Sequence, residues 1–217
     1  MTATPVTFFH SPNSRSQVTH ALLEELDVPY DMVALNMQAD EQRTSEYLAI
    51  NPMGKVPAIR HGEALITEQP AVMLYLADLY PEKNLAPSVD DALRGPYLRW
   101  MVFYGSCYEP AMMDRSQPER APLPRKQCGY GSFDDVMNVL AAQLETGPWL
   151  LGERFTAADV LWGLALNYGF AFKLVLELPV FRAYVDRVLA RPAVKRAAEK
   201  DQALAARHQD EAVATTA

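Results

Sequence analysis

Strand-forming runs in this chain stop near residue 80, and nothing later restarts them. Before that point strand and helix signals alternate. "VTFFH" (6–10) is β-branched and aromatic and reads as a strand. "SRSQVTHALLEEL" (14–26) sets Val18, Ala21, Leu22 and Leu26 on one helical stripe. "YDMVALN" (30–36) is a second strand, and "DEQRTSEYLAI" (40–50) a short polar helix that ends before Asn51-Pro52. "VPAIRHGEALIT" (56–67) is a hairpin turning at Gly62, and "PAVMLYLADLY" (70–80) a helix with Pro70 in its first turn. The order is βαβ, helix, ββ, helix.

From Pro81 the texture changes. "PEKNLAPSV" (81–89) is rich in proline and charge and reads as a linker. Helical patterns then cover roughly 90–115, 131–146, 157–171, 179–190 and 192–206. Thr156 followed three residues on by Asp159 is a capping-box signature for the third of these. A small α/β domain (1–80) therefore precedes an all-helical one (90–207), with a frayed polar tail from 208 to 217.

Several function classes fall away on composition. A net charge of −7 lacks the basic face that polyphosphate needs, so no nucleic-acid partner is expected. The four histidines and two cysteines show no metal-ligand spacing and no disulfide framework, so no metal is expected and a reduced, cytoplasmic setting is. The longest uncharged apolar run, residues 160–172, falls short of the ~20 residues that cross a bilayer. The start "MTATPVTFFH" carries no targeting pattern.

Four short stretches, in this order and spacing, resemble the glutathione transferases: "NPMGKVPAI" (51–59), "TEQPAV" (67–72), "GERFTAADV" (152–160) and "LARPAVKRA" (189–197). The resemblance runs from the first strand to about residue 200. It implies a thioredoxin-like N-terminal domain, an all-helical C-terminal domain, glutathione as co-substrate, a small electrophile as second substrate, and a homodimer. Bacterial members of the beta class look closest, but where they carry a cysteine loop "SPGACS", this chain reads "SPNSRS". Arg15 stands in the cysteine's place, so mixed-disulfide chemistry at that position is not available.

Glutathione itself says what a site must hold. It ends in a γ-glutamyl ammonium and carboxylate on one side and a glycyl carboxylate on the other, with a thiol between. The helix starting near Pro70 offers free amides and a positive dipole end to a carboxylate, with Gln69 at its start. Glu68 can take the ammonium; its alternative is plain helix capping. Lys55 is placed for the glycyl carboxylate, or is a solvated surface lysine. Pro57 belongs at a strand start or edge. The resemblance further implies a cis Val56–Pro57 peptide that turns the Val56 amide and carbonyl towards the cysteinyl backbone.

The thiolate needs a donor, and the loop offers three. Ser11 ends the first strand before Pro12, where related enzymes place a catalytic hydroxyl; it is the leading choice. Asn13 is the alternative, since relatives with a "TPNG" loop use that asparagine. Ser14 is the third, though Ser14-Arg15-Ser16-Gln17 matches a capping box and gives it a competing duty, leaving Ser16 no special task. His10 and His20 read as structural, with no carboxylate at a readable spacing, and Cys107 as buried and inert. Tyr104, Tyr108 and Met112 share one helical face and are expected either to wall the electrophile pocket or to pack in a core. The leading reading is thiol transfer to an electrophile. The others are glutathione-dependent peroxide or disulfide reduction, and a non-catalytic ligand-binding protein on the same scaffold.

Overall fold

The computed structural model describes residues 5–119, 121 and 123–216, with side chains to residue 211. It forms two compact units, 1–76 with 191–217, and 77–190.

The first unit is built on a four-stranded sheet of order β2-β1-β3-β4. Strand β1 (Val6–His10) runs parallel to β2 (Tyr30–Ala34), with α1 (Ser16–Leu26) as the crossover. It runs antiparallel to β3 (Ala58–His61), which folds back into β4 (Ala64–Ile66) through Gly62 at φ +59°. Helix α3 (Gln69–Leu79) follows. This is the thioredoxin-like order expected. Its core is the apolar stripe of α1 and the inner sheet face: Phe8, Leu22, Leu23, Leu26 and Ile59 are fully covered.

Two elements differ from the sequence reading. The polar helix expected over 40–50 is two 3₁₀ turns, Met37–Ala39 and Glu41–Arg43, ahead of a single-turn α2 (Ser45–Leu48). Asp40 at φ +55° breaks the run, and Tyr47 anchors the turn against Phe9, Leu35 and Ala58. At the other end, α9 runs Pro192–Thr216, past the boundary expected near 206 and through the stretch expected to fray. After Pro192 no glycine or proline interrupts it, and alanine recurs throughout. Nor does α9 belong with the helices before it: it lies along α1. The α1 acids explain the seat. Glu25 receives a two-pronged bond from Arg191 (2.6 and 2.7 Å), and Glu24 receives Arg196 (3.2 Å) and Lys200.

In the second unit, α4 (Arg94–Phe103) continues through one π-turn, 104–108, into α5 (Glu109–Arg115). Helices α6 (Phe133–Leu144), α7 (Ala157–Ala171) and α8 (Pro179–Leu189) complete it. Helix α7 is the uncharged run noted above and is largely buried. Its Trp162 sits edge-on to Trp100 at 5.6 Å and donates from Nε1 to the Trp100 carbonyl (3.0 Å). A Cβ on Gly163 would stand 2.5 Å from Val188, so α7 and α8 touch backbone to side chain there.

The Thr156–Asp159 capping box forms as its spacing predicts. Asp159 does more than cap. One carboxylate oxygen accepts from the Leu150 amide (2.8 Å) and the Tyr184 hydroxyl (2.9 Å), the other from the Thr156 amide (2.8 Å) and hydroxyl (3.2 Å). Burial pushes its carboxyl up to about 6, against the pull of those four donors. Among the described residues no helix is long and apolar enough to cross a membrane.

Candidate functional site

Sheet register gathers the sequence-predicted residues of the first unit along one rim. Phe9 faces Ala58 in the antiparallel β1–β3 pair, so the end of β1 meets the start of β3, with Ser11 two residues past Phe9 and Val56 two residues before Ala58. Ile59 faces Ile66, so β4 ends at the same edge, with Glu68 two residues past Ile66. The Val56–Pro57 peptide is cis. Among the described residues neither the amide nor the carbonyl of Val56 has a hydrogen-bond partner, which leaves one donor and one acceptor open at the rim. Next to it Lys55 is exposed, while its carbonyl is held by the Tyr47 hydroxyl (2.6 Å) and the Asn51 amide (2.8 Å).

Helix α3 starts at this rim. Glu68, the residue before it, is exposed and sits at φ +65°. A non-glycine residue there is strained by about 1–3 kcal/mol, and such strain concentrates at binding and switch positions. Gln69 is buried and its side-chain amide donates to the Arg15 carbonyl (3.0 Å). It ties the start of α3 to the start of α1.

The serine loop is laced differently from the capping box expected. Arg15 takes the N-cap position of α1 with helical angles and no side-chain capping bond. Ser14 instead donates to the Ser11 carbonyl (2.7 Å) and receives the Ser16 amide (3.2 Å). Ser16, expected to have no task, is the hub. Its fully buried hydroxyl meets His10 Nδ1 (2.8 Å), Ser14 Oγ (2.7 Å), the Ser11 amide (3.1 Å) and the Ser11 carbonyl (3.0 Å). Ser11 is 2% exposed, and its own hydroxyl has no partner among the described residues. Asn13 stands open at φ +58°, which asparagine tolerates better than most side chains.

Behind the loop lies a group that sequence spacing could not reveal. His10, His20 and Asp201 are buried with their polar atoms within 4.8 Å of one another. Contrary to the expectation from spacing, His20 has a carboxylate four residues on, Glu24, 3.9 Å from its Nε2; the acid that both histidines share, Asp201, arrives on α9. His20 Nδ1 is 2.5 Å from Asp201 Oδ1, and His20 Nε2 is 2.9 Å from the Tyr30 hydroxyl, which donates to Glu24 (2.8 Å). His10 Nε2 lies 3.0 Å from Asp201 Oδ1, off the line of a good hydrogen bond. Burial is the main force pulling His10 below its usual value. For Asp201 burial pushes upward, but the bonds from the two histidines outweigh it and hold the carboxyl low.

In the second unit, Tyr104, Tyr108 and Met112 share a face, as their spacing predicts, and are 2%, 2% and 3% exposed. The tyrosine rings stack at 5.7 Å; Tyr104 bonds Glu109, and Tyr108 donates to the Ala165 carbonyl (2.9 Å). These three are core, the second of the two roles expected of them. Cys107 is half-buried rather than fully buried.

Known proteins are similar to this chain in sequence and fold. Residues 4–78 match the family model "Glutathione S-transferase, N-terminal domain", and residues 131–192 match "Glutathione S-transferase, C-terminal domain". A glutathione S-transferase (GstA) of Escherichia coli O157:H7 is 28% identical over 192 residues, covering 87% of this chain and 95% of that protein. The disulfide-bond oxidoreductase YfcG of Escherichia coli K12 is 25% identical over 210 residues, covering 91% and 96%. A crystal structure of a glutathione transferase homologue from Sulfitobacter, with bound glutathione, superposes with a TM-score of 0.71 at 26% identity, covering 93% of this chain and 99% of that one.

Proposed function

Because the chain belongs to the glutathione S-transferase family, we propose that it binds glutathione along the rim and transfers its thiolate to a small, largely apolar electrophile. What supports this reading is the sheet edge at which Ser11, Val56 and Glu68 each stand two residues beyond the last β1–β3 and β3–β4 pairs. Glu68 takes the γ-glutamyl ammonium, and the start of α3 at Gln69 takes the neighbouring carboxylate through main-chain amides. The open amide and carbonyl of Val56, held next to Pro57, pair with the cysteinyl backbone, and Lys55 meets the glycyl carboxylate. Ser11, whose hydroxyl is otherwise unused, donates to the sulfur; Asn13 is the alternative donor, with Ser14 acting through its bond to the Ser11 carbonyl. Tyr104, Tyr108 and Met112 back the acceptor pocket from the core. A homologue crystallised with glutathione supports the co-substrate. A cytoplasmic setting and a homodimer complete the reading; a monomer mass in sedimentation at micromolar concentration removes the homodimer.

Binding tests the reading first. The protein is expected to be retained on immobilised glutathione and to show thiolate absorbance in the ultraviolet near neutral pH. Glu68→Ala is expected to weaken glutathione binding about 30-fold, about 2 kcal/mol, because a charge-assisted bond is lost. Calorimetry reads this directly, and an unchanged affinity reduces Glu68 to a residue at a helix start. One observation favours a second reading: Asn13 is the exposed donor of the loop, and one relative is a disulfide-bond oxidoreductase. Parallel assays with a haloaromatic, a hydroperoxide and a mixed disulfide separate conjugation from reduction.

A further inference from the structure

The buried trio behind the serine loop sits too tightly to be a vacant metal centre. Two donors bound at about 2.0 Å to one tetrahedral ion stand about 3.3 Å apart, whereas His20 Nδ1 and Asp201 Oδ1 are 2.5 Å apart, a hydrogen-bond distance. Its members form a chain of contacts: Ser16 is hydrogen-bonded to His10, His10 Nε2 stands 3.0 Å from Asp201 without a hydrogen bond, and Asp201 is bonded to His20, His20 to Tyr30, and Tyr30 to Glu24 on the α9-facing side of α1. Proton counting then restricts each member. Tyr30 gives its proton to Glu24, so His20 Nε2 must donate to Tyr30, and Nδ1 donates to the carboxylate. One proton lies between His20 Nδ1 and Asp201 Oδ1.

His10 has a choice that His20 lacks. With its hydrogen on Nε2, facing Asp201, its bare Nδ1 accepts the Ser16 proton, and Ser14 alone serves the Ser11 carbonyl. With its hydrogen on Nδ1, His10 donates to Ser16, whose proton must turn to Ser14 or to the Ser11 carbonyl. A carboxylate facing Nε2 selects the first state, as buried acids do for imidazoles elsewhere. We propose that Asp201, on the last helix, is a positioning residue for the thiolate donor: through His10 and Ser16 it fixes the hydroxyl pattern that holds the Ser11 backbone. The charged and titratable groups around it are His10, His20, Tyr30, Glu24, Arg196, Lys200 and His208. This inference rests on the glutathione reading above.

Asp201→Asn is the direct test. The amide presents N–H groups to a site built for acceptance, so it reverses the His10 tautomer at nearly constant shape. The expected result is a bound-thiol midpoint raised by about one unit, hence about tenfold less thiolate at pH 7, with glutathione affinity unchanged. His10→Asn, whose shorter amide reaches Ser16 but not Asp201, is expected to give the same shift and stands in if Asp201→Asn does not fold. Glu25→Gln is the contrast: it loosens the seat of α9 at Arg191, outside this chain of contacts, and is expected to lower the melting temperature while leaving the thiol midpoint alone. Unchanged midpoints in Asp201→Asn and His10→Asn, with lowered melting temperatures, overturn the inference and leave the trio a docking device only. If the wild-type protein shows no bound thiolate at all, the glutathione reading and this one fall together.

Discussion

Replacing Asp159 by alanine is expected to destabilise the helical unit by about 3–5 kcal/mol, the range found when a buried, hydrogen-bonded charge network loses its centre. Four donors converge on this carboxylate, and the Leu150 and Thr156 amides have no other acceptor among the described residues. An exposed cap costs only about 1 kcal/mol; the excess comes from orphaning two buried amides and leaving the Tyr184 hydroxyl only its long bond to the residue-159 carbonyl (3.4 Å). The effect depends on pH. Burial raises the Asp159 carboxyl to about 6, above the usual value of an unfolded chain, so the folded state binds the proton more tightly. Its contribution to stability is therefore complete below about pH 4 and declines as the pH rises through 6. The Thr156 hydroxyl, 3.2 Å away, can turn to accept that proton. Denaturant melts of wild type and Asp159→Ala should show a gap that widens between pH 7 and pH 4; a gap that narrows means the four donors outweigh burial.

Ser11→Ala is expected to slow conjugation at pH 7 by about 10- to 100-fold while sparing it near pH 9. A free thiol has a pKa of about 8.5, and each unit by which the site lowers it multiplies the thiolate roughly tenfold near neutrality. One hydroxyl donor plus the start of α1 can supply one to two such units, about 1.4–2.7 kcal/mol. The melting temperature should barely move, because the Ser11 hydroxyl bonds no described residue and its loss orphans nothing. Ser14→Ala serves as the internal contrast: its hydroxyl holds the Ser11 carbonyl and the Ser16 amide, so melting should fall. If the thiol midpoint survives Ser11→Ala, Asn13 carries the role, and Asn13→Ala is then expected to raise it.

What the sequence makes legible here is what lies close along it. The individual strands, the hairpin at Gly62, and the Thr156–Asp159 box each depend on residues a few positions apart, and each forms. The same capping pattern at Ser14-Arg15-Ser16-Gln17 does not, because the Ser11 carbonyl and the Ser16 amide engage the Ser14 hydroxyl first. A tyrosine stripe shows only that its members share a face. Whether that face meets a pocket or a core is decided by Trp162 and Ala165, some sixty residues away. The carboxylate partner of the two histidines was invisible for the same reason: Asp201 follows His20 by 181 residues. The rim residues were readable one by one, yet their alignment depends on register across three strands.

That interval has a cost in time. A ribosome adding about 5–20 residues per second emits the strands and helices up to α3 early, then needs roughly six to twenty-four seconds more to deliver residue 201. Through that delay the nascent fold holds two interior histidines without their anion, and the face of α1 bearing Glu24 and Glu25 is bare of Arg191, Arg196 and Lys200. The thioredoxin-like part of this protein is thus finished last although it is made first. Translation stalled or truncated before α9 would leave a sheet that pairs correctly and an interior that cannot close.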